Sequence, residues 1–270
     1  MLQLDHTSVR IGSATLLDGL SLGVSPGEVV AIVGPNGAGK TTSLRLLAGE
    51  TDPTEGRVLL DGNRLDAAPM NELAMRRAVL PQQSALGFGF STLDVVLLGR
   101  TPHRTGRRAD LDAAARAMHR AGVEHLAAQR YPTLSGGERQ RVHLARVLAQ
   151  LDGATDSDRY LLLDEPTSAL DLAHQHAVLR VAQEEAANGT GVLAVLHDLN
   201  LAAQYADRIA VLADGKLVAL GTAESVLTPA IVQCAFGISV MVTQNPCVAC
   251  PLVVPMPDAA ALPVSLPVLS

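Results

Sequence analysis

Nine residues, Gly34-Pro35-Asn36-Gly37-Ala38-Gly39-Lys40-Thr41-Thr42, have the composition and spacing of a phosphate-binding loop. They follow the apolar run Val29 to Val33 and precede Leu44-Arg45-Leu46-Leu47-Ala48, an order that predicts strand, glycine loop and helix. In that context the loop's backbone N–H groups converge on an anion, and the first helical turn adds its unpaired donors. Lys40 would reach the β- and γ-phosphates of a nucleoside triphosphate, and Thr41 would offer its hydroxyl to Mg2+. Lysine occurs elsewhere only at Lys216, so a chain that otherwise uses arginine keeps a compact ammonium in this loop.

Three more groups carry chemistry. The run Tyr160-Leu161-Leu162-Leu163 ends in Asp164-Glu165, at the carboxyl end of a buried strand, where α/β sheets open their ligand crevice. Asp164 suits the Mg2+ shell, directly or through water, while Glu165 can accept a proton from the water attacking the γ-phosphate. Taken alone, the two acids read equally well as a cap on the turn into Pro166-Thr167-Ser168, and the upstream loop decides between the readings. His197 ends another apolar run and could hold the γ-phosphate and orient the attacking water. Finally, Leu134-Ser135-Gly136-Gly137-Glu138 opens the helix carrying Arg139 to Leu148, with Ser135 near the N-cap. It is either an ordinary cap or a second anion-binding helix start, which raises the question of how one nucleotide could use both.

The elements that position these groups follow from periodicity. Residues 1–33 alternate short apolar runs with turn signals and predict a small antiparallel sheet leading into the strand before the loop. Arg57 to Leu60 is a further strand closed by Asp61-Gly62. From Asn71 to Gln150 the period becomes helical, which predicts a helical insertion. Strand and helix then alternate through Tyr160–Leu163, a helix from about Leu172 to Asn188, Gly191–Leu196, a helix at Leu199–Ala206, Ile209–Leu212 and the Asp214-Gly215 hairpin. Such alternation predicts a mostly parallel, helix-covered sheet. The stretch from Gln244, with prolines at 246, 251, 255, 257, 263 and 267, cannot be a regular helix or central strand, and its apolar character suits a tail lying on the body.

Composition narrows the function classes. The 48% hydrophobic content of 270 residues is ample for a core, and a net charge of −6 with interspersed signs gives no nucleic-acid footprint. Arg104, Arg107 and Arg108 form one short basic cluster that reads as a solvated loop. No apolar run approaches the roughly 20 residues of a spanning helix and no signal peptide is evident, so a cytosolic chain with a membrane role borrowed from a partner is expected. Cys234, Cys247 and Cys250 are odd in number and lack a second pair to complete a zinc site.

With these motifs in order, the chain resembles the nucleotide-binding subunits of ABC transporters over about residues 2–225. The matching positions are the Walker A loop from Gly34 to Thr42, Gln82 of the Q-loop, the signature from Leu134 to Glu138, Walker B ending at Asp164-Glu165, the D-loop Ser168-Ala169-Leu170-Asp171, and the switch His197. The resemblance implies an α/β P-loop NTPase core of ABC type with an N-terminal antiparallel β subdomain and a helical subdomain. It gives an ATPase domain over 1–243, its helical subdomain at about 83–150, and a proline-rich tail over 244–270. It also answers the question of two helix starts: two copies pair head to tail, each ATP lying between one chain's Walker A and the other's signature. Ser135, Gly136, Gly137 and Glu138 would then face the partner's ATP, Asp171 would bridge the two sites, and Thr41, Asp164 and Gln82 would hold Mg2+. Gln82 would also link that ion to the subdomain gripping a membrane permease, with a periplasmic substrate-binding protein as indirect partner and the cytoplasmic face of the inner membrane as location.

Within the family, Leu86-Gly87-Phe88-Gly89-Phe90-Ser91-Thr92 and Leu98-Gly99-Arg100-Thr101-Pro102-His103 are similar to importers of iron chelates, cobalamin and haem. An insertion at Asp152–Asp158 before Walker B looks like the haem importer ATPases, with ferric siderophore or cobalamin as the other substrates. A non-transport ABC protein of DNA repair or translation would need a coiled-coil insertion, a second cassette or a basic surface, and a small-molecule kinase would leave the signature and His197 without a role. In such importers the substrate passes through the permease, so His174 and His176 are expected on a polar helix face and not as haem ligands. One departure stands out: the family's adenine-stacking aromatic is replaced at Arg10-Ile11-Gly12, where either the Arg10 guanidinium or Ile11 would contact the base.

Overall fold

The computed structural model describes residues 1–82, 89–153 and 158–256. Two long strands open the chain, β1 (Leu2–Ile11) and β2 (Ala14–Val24), paired antiparallel from Leu2 opposite Val24 to Ile11 opposite Ala14. The buried strand β3 (Val29–Val33) leads through the glycine loop into helix α1 (Lys40–Leu47). Strands β4 (Glu55–Leu60) and β5 (Asn63–Arg64) return to complete a four-stranded sheet in the order β2-β1-β4-β5. Helix α2 (Met70–Arg76) runs straight into strand β6 (Arg77–Leu80), after which α3 (Thr92–Leu97), α4 (Arg107–Arg120) and α5 (Gly136–Leu151) form the helical part.

Alternation resumes with β7 (Arg159–Asp164), α6 (Leu172–Ala187), β8 (Thr190–Val195), α7 (Leu199–Tyr205), β9 (Arg208–Ala213) and β10 (Lys216–Gly221). The last described elements are α8 (Ala223–Val226), α9 (Pro229–Phe236) and a hairpin of β11 (Val240–Gln244) and β12 (Pro251–Pro255). The large sheet has the order β10-β9-β3-β8-β7-β6 and is parallel except for the β9–β10 pair. Its central strands β3, β7 and β8 are buried almost throughout, as continuous apolar runs covered on both faces must be.

Side-chain alternation divides the core into two layers. Along β3, Val29, Ala31 and Val33 join the layer packed with α5 and α6, whereas Val30 and Ile32 join the layer of β1, β2 and α1. The parallel sheet is thus held between the antiparallel sheet and the helices, and the glycine loop, Asp164 and His197 all leave its strands at their carboxyl ends.

Sequence and structure differ over residues 71–150. The expected helical stretch contains β6, which pairs parallel with β7 from Arg77 opposite Tyr160 to Leu80 opposite Leu163. A four-residue edge strand that begins with arginine has only the three-residue apolar run Ala78-Val79-Leu80 to announce it. Only Ala78 and Leu80 are buried on the core face, and Arg77 sends its guanidinium to the Leu47 carbonyl at 3.3 Å. The importer-like residues Leu86, Gly87 and Phe88, positions 154–157 of the insertion, and the prolines at 257, 263 and 267 lie outside the described residues.

In the proline-rich stretch, β12 is an edge strand of a two-stranded sheet, with Pro251 and Pro255 at its ends where no central ladder is broken. Cys250 and Val253 are buried, so this stretch does lie on the body, and β11 runs across the expected boundary at 243. Cys234 and Cys247 are exposed free thiols.

Candidate nucleotide site

The glycine loop is shaped by close approach. A Cβ on Gly34 would stand 2.2 Å from the Leu212 carbonyl oxygen, so only glycine lets the chain leave β3 beside β9. Gly39 caps α1 with φ of 94° and offers no side-chain acceptor, which leaves the first N–H groups of the helix available to an anion. A Cβ there would meet Leu17 Cδ2 at 2.5 Å. The resulting cavity of about 210 Å3 is lined by Asn36, Gly37, Ala38, Gly39, Lys40, Thr41, Thr42 and Glu165, with Leu16 from β2 on one wall. Leu16 had no signal in the sequence, because its place depends on how the antiparallel sheet sits over the loop.

Lys40 is buried, and its ammonium donates to the Gly34 and Pro35 carbonyls at 2.7 and 2.9 Å. Burial lowers its pKa, opposed by the charges of Glu165 and Asp164. Thr41 donates its hydroxyl to Asp164 Oδ1 at 3.3 Å. Asp164 is 4% exposed, and burial raises its pKa against the hydrogen bond from Thr41, with Glu165 adding a further upward push. A desolvated carboxylate with one long hydrogen bond beside a hydroxyl is a pair of hard oxygen donors whose chemistry suits Mg2+.

Glu165 is the most constrained of these residues. Its backbone has φ of 49°, in the left-handed region that non-glycine residues seldom adopt. Gln82 Nε2 donates to its Oε2 at 2.7 Å, and His197 Nε2 lies 2.7 Å from its Oε1. Its carbonyl accepts from Gln140 Nε2 on α5 at 3.2 Å and from Ser168 Oγ at 3.1 Å. Gln140, like Leu16, escaped sequence reading: it lies inside the signature helix, and nothing in the local pattern aims it at another strand. The structure therefore gathers the glycine loop, Gln82, Asp164, Glu165 and His197 into one site.

Ser135, Gly136, Gly137, Glu138 and Asp171 do not line that cavity. Ser135 and Gly136 are exposed at the start of α5. A capping box holds them: the Glu138 N–H donates to Ser135 Oγ at 3.3 Å, while Glu138 Oε2 accepts from the Ser135 N–H at 2.8 Å and its hydroxyl at 2.7 Å. These hydrogen bonds lower the Glu138 pKa. Asp171 caps α6 and accepts from the His174 backbone at 2.9 Å; its pKa is lowered by that bond and by the His174 ring. His176 Nδ1 meets the hydroxyl of Tyr205 on α7 at 2.7 Å, so His174 pairs with the cap of its own helix and His176 with the neighbouring helix. Of the two candidates for the base, Arg10 is held by Glu55 at 2.7 Å, whereas Ile11 is 65% exposed at the end of β1.

The ABC transporter family profile matches residues 17–168. The chain is similar to the "Hemin import ATP-binding protein HmuV" of Gloeobacter violaceus, 53% identical over 97% of this chain and 96% of that protein. It is likewise similar to the protein of that name from Pseudomonas aeruginosa, 50% identical over 94% of this chain and 99% of the relative. Among solved structures, the dimeric post-hydrolysis state of the ATP-binding cassette MJ0796 bound to ADP and Pi matches with a TM-score of 0.72 and 27% identity, over 82% of this chain and 98% of that one.

Proposed function

The chain belongs to the ABC transporter family as an ATPase subunit, and from that premise we propose that it couples ATP hydrolysis to haem import through a membrane permease. The observation that carries the mechanism is the fixing of Glu165 between Gln82 and His197 at the wall of the phosphate cavity.

ATP enters with its phosphates against the glycine loop, where Lys40 and the N-terminus of α1 offset their charge. Thr41, Asp164 and the Gln82 amide oxygen would hold Mg2+, directly or through water at Asp164, and the ion would neutralise phosphate charge. Each Glu165 oxygen already takes part in one contact and keeps a further lone pair. A water placed there gives its proton to Glu165 as its oxygen bonds to the γ-phosphorus, and the bond from that phosphorus to the bridging oxygen of ADP breaks. His197 orients the water and the γ-phosphate. Products are ADP and phosphate.

The exposed signature supports a site completed by a second copy. Ser135 to Glu138 would receive the γ-phosphate held by the partner copy, with Asp171 between the two sites, so that ATP closes the dimer and hydrolysis reopens it. We propose an ATPase domain over about 1–243, its helical subdomain at about 83–150, and a C-terminal extension whose strand β12 pairs back onto β11 at the end of that domain. No helix among the described residues is long and apolar enough to cross a membrane, which suits a peripheral subunit on the cytoplasmic face of a bacterial inner membrane. Haem rests on the names of relatives about half identical over nearly their full length. Reconstitution with the permease and a periplasmic binding protein tests it: haem should stimulate ATP hydrolysis, and stimulation only by a ferric siderophore or cobalamin would reassign the substrate.

A further inference from the structure

We propose that Asn200 is a positioning residue for hydrolysis, tying the segment that carries His197 to the C-terminal hairpin. This rests on His197 acting in the hydrolytic site. Upstream, that segment is anchored by the sheet, where the Leu196 N–H donates to Ile32 O at 3.0 Å. Downstream, Asp198 caps α7 by accepting from the Asn200 and Leu201 N–H groups at 2.7 and 3.1 Å.

The Asn200 side chain points elsewhere. Its Oδ1 accepts from the Val253 N–H at 2.8 Å, and its Nδ2 donates to the Val253 carbonyl at 3.1 Å. An amide is matched donor to acceptor with one residue's peptide edge, so Asn200 stands where a neighbouring strand would continue the sheet beyond β12. Val253 is 5% exposed, and the two bonds span 53 positions of sequence. The hairpin and the switch segment also face each other across a cleft of about 370 Å3, with His197, Asp198, Leu199 and Asn200 on one side and Ile238, Val240, Val253 and Pro255 on the other. His197 is 45% exposed and lines that cleft, so its placement against Glu165 depends on how firmly the segment after it is held.

The test uses the full-length protein, with steady-state phosphate release for kcat and KM and a fluorescent ATP analogue for affinity. Asn200→Ala removes both bonds. Asn200→Asp keeps the acceptor but sets a carboxylate against the Val253 carbonyl. Val253→Pro removes the N–H from the other side, and spares the β11 ladder because the Val253 peptide groups face Asn200. Each single variant should lower kcat by roughly tenfold, the scale of a lost pair of hydrogen bonds, and leave the ATP KM within about twofold. Combining Asn200→Ala with Val253→Pro should add little, because the two changes cut one link.

An unchanged kcat in Asn200→Ala, or single effects that multiply in the double variant, would overturn the proposal. So would a rise in KM that matches the fall in kcat, since that is what general loosening of the fold produces. His197→Ala in the same assay separates the two levels. Retained turnover there overturns the hydrolytic reading and this inference together, whereas an inactive His197→Ala beside a fully active Asn200→Ala overturns the inference alone.

Discussion

Glu165→Gln keeps the shape of the side chain and removes its basicity. Both neighbours can adapt: with its oxygen toward Gln82, the new amide turns its NH2 toward His197 Nε2, which must then accept, its own proton residing on Nδ1. The two 2.7 Å contacts survive, and the loop, Lys40 and Thr41 are untouched. ATP affinity should therefore stay within about twofold, the usual reach of a substitution that breaks no contact. Turnover should fall by roughly 10²–10⁴, the contribution of a positioned base, which is about 3–5 kcal/mol in the barrier. Steady-state phosphate release measures the first quantity, a fluorescent ATP analogue the second, and size-exclusion chromatography with ATP the fraction of dimer, which should rise as reopening stalls. A kcat within tenfold of the parent would remove Glu165 from the base role; loss of ATP binding would refute the argument that its neighbours adapt.

Ile11→Tyr should tighten ATP binding by roughly 0.5–1.5 kcal/mol through an aromatic face at the end of β1, and unchanged or weaker affinity in an equilibrium titration would dismiss Ile11 as the base contact. Gly39→Ala forces a Cβ to 2.5 Å from Leu17 Cδ2 at φ of 94°, so nucleotide binding should be lost with about 1–3 kcal/mol of stability, and a variant that still binds ATP in a thermal-shift assay would contradict the described loop. His143 is 5% exposed against Tyr131 OH at 2.7 Å, and burial, helped by Arg146, pushes its pKa from 6.5 down to about 4. The unfolded chain takes up that proton first, so its contribution is complete above pH 6.5 and is lost as pH falls toward 4, roughly 3 kcal/mol over the range. Denaturant midpoints across that window should flatten in His143→Leu, and an unaltered slope would assign the acid sensitivity to other groups.

Much of this molecule was legible before its coordinates because its chemistry is local. The buried strands announce themselves as unbroken apolar runs, the loop by glycines at fixed spacing, and Asp164, Glu165 and His197 by standing at the ends of such runs. What escaped depends on packing between distant segments. Strand β6 is too short and too arginine-marked to stand out, and it becomes a strand by pairing with β7. Leu16, Gln140 and Asn200 matter through partners distant in sequence, 25 positions for Gln140 and 53 for Asn200, whose proximity follows from the sheet order. Strand β12 lies in a stretch whose prolines exclude only a regular helix or a central strand, and they are accommodated because they mark the ends of an edge strand.

The capping box at Ser135 has a consequence for how two copies would part. The Ser135 hydroxyl proton and backbone N–H both point at Glu138 Oε2, so the start of α5 already carries an anion of its own. If the pairing proposed above holds, a phosphate presented by a second copy would displace that carboxylate, exchanging a tethered negative group for a free one with more oxygens and more charge. Once hydrolysis lets the phosphate go, Glu138 is at hand to reclaim both donors. On that proposed pairing the helix start would work as a reversible latch, and the glutamate three positions after the serine would be the spring that sets it back.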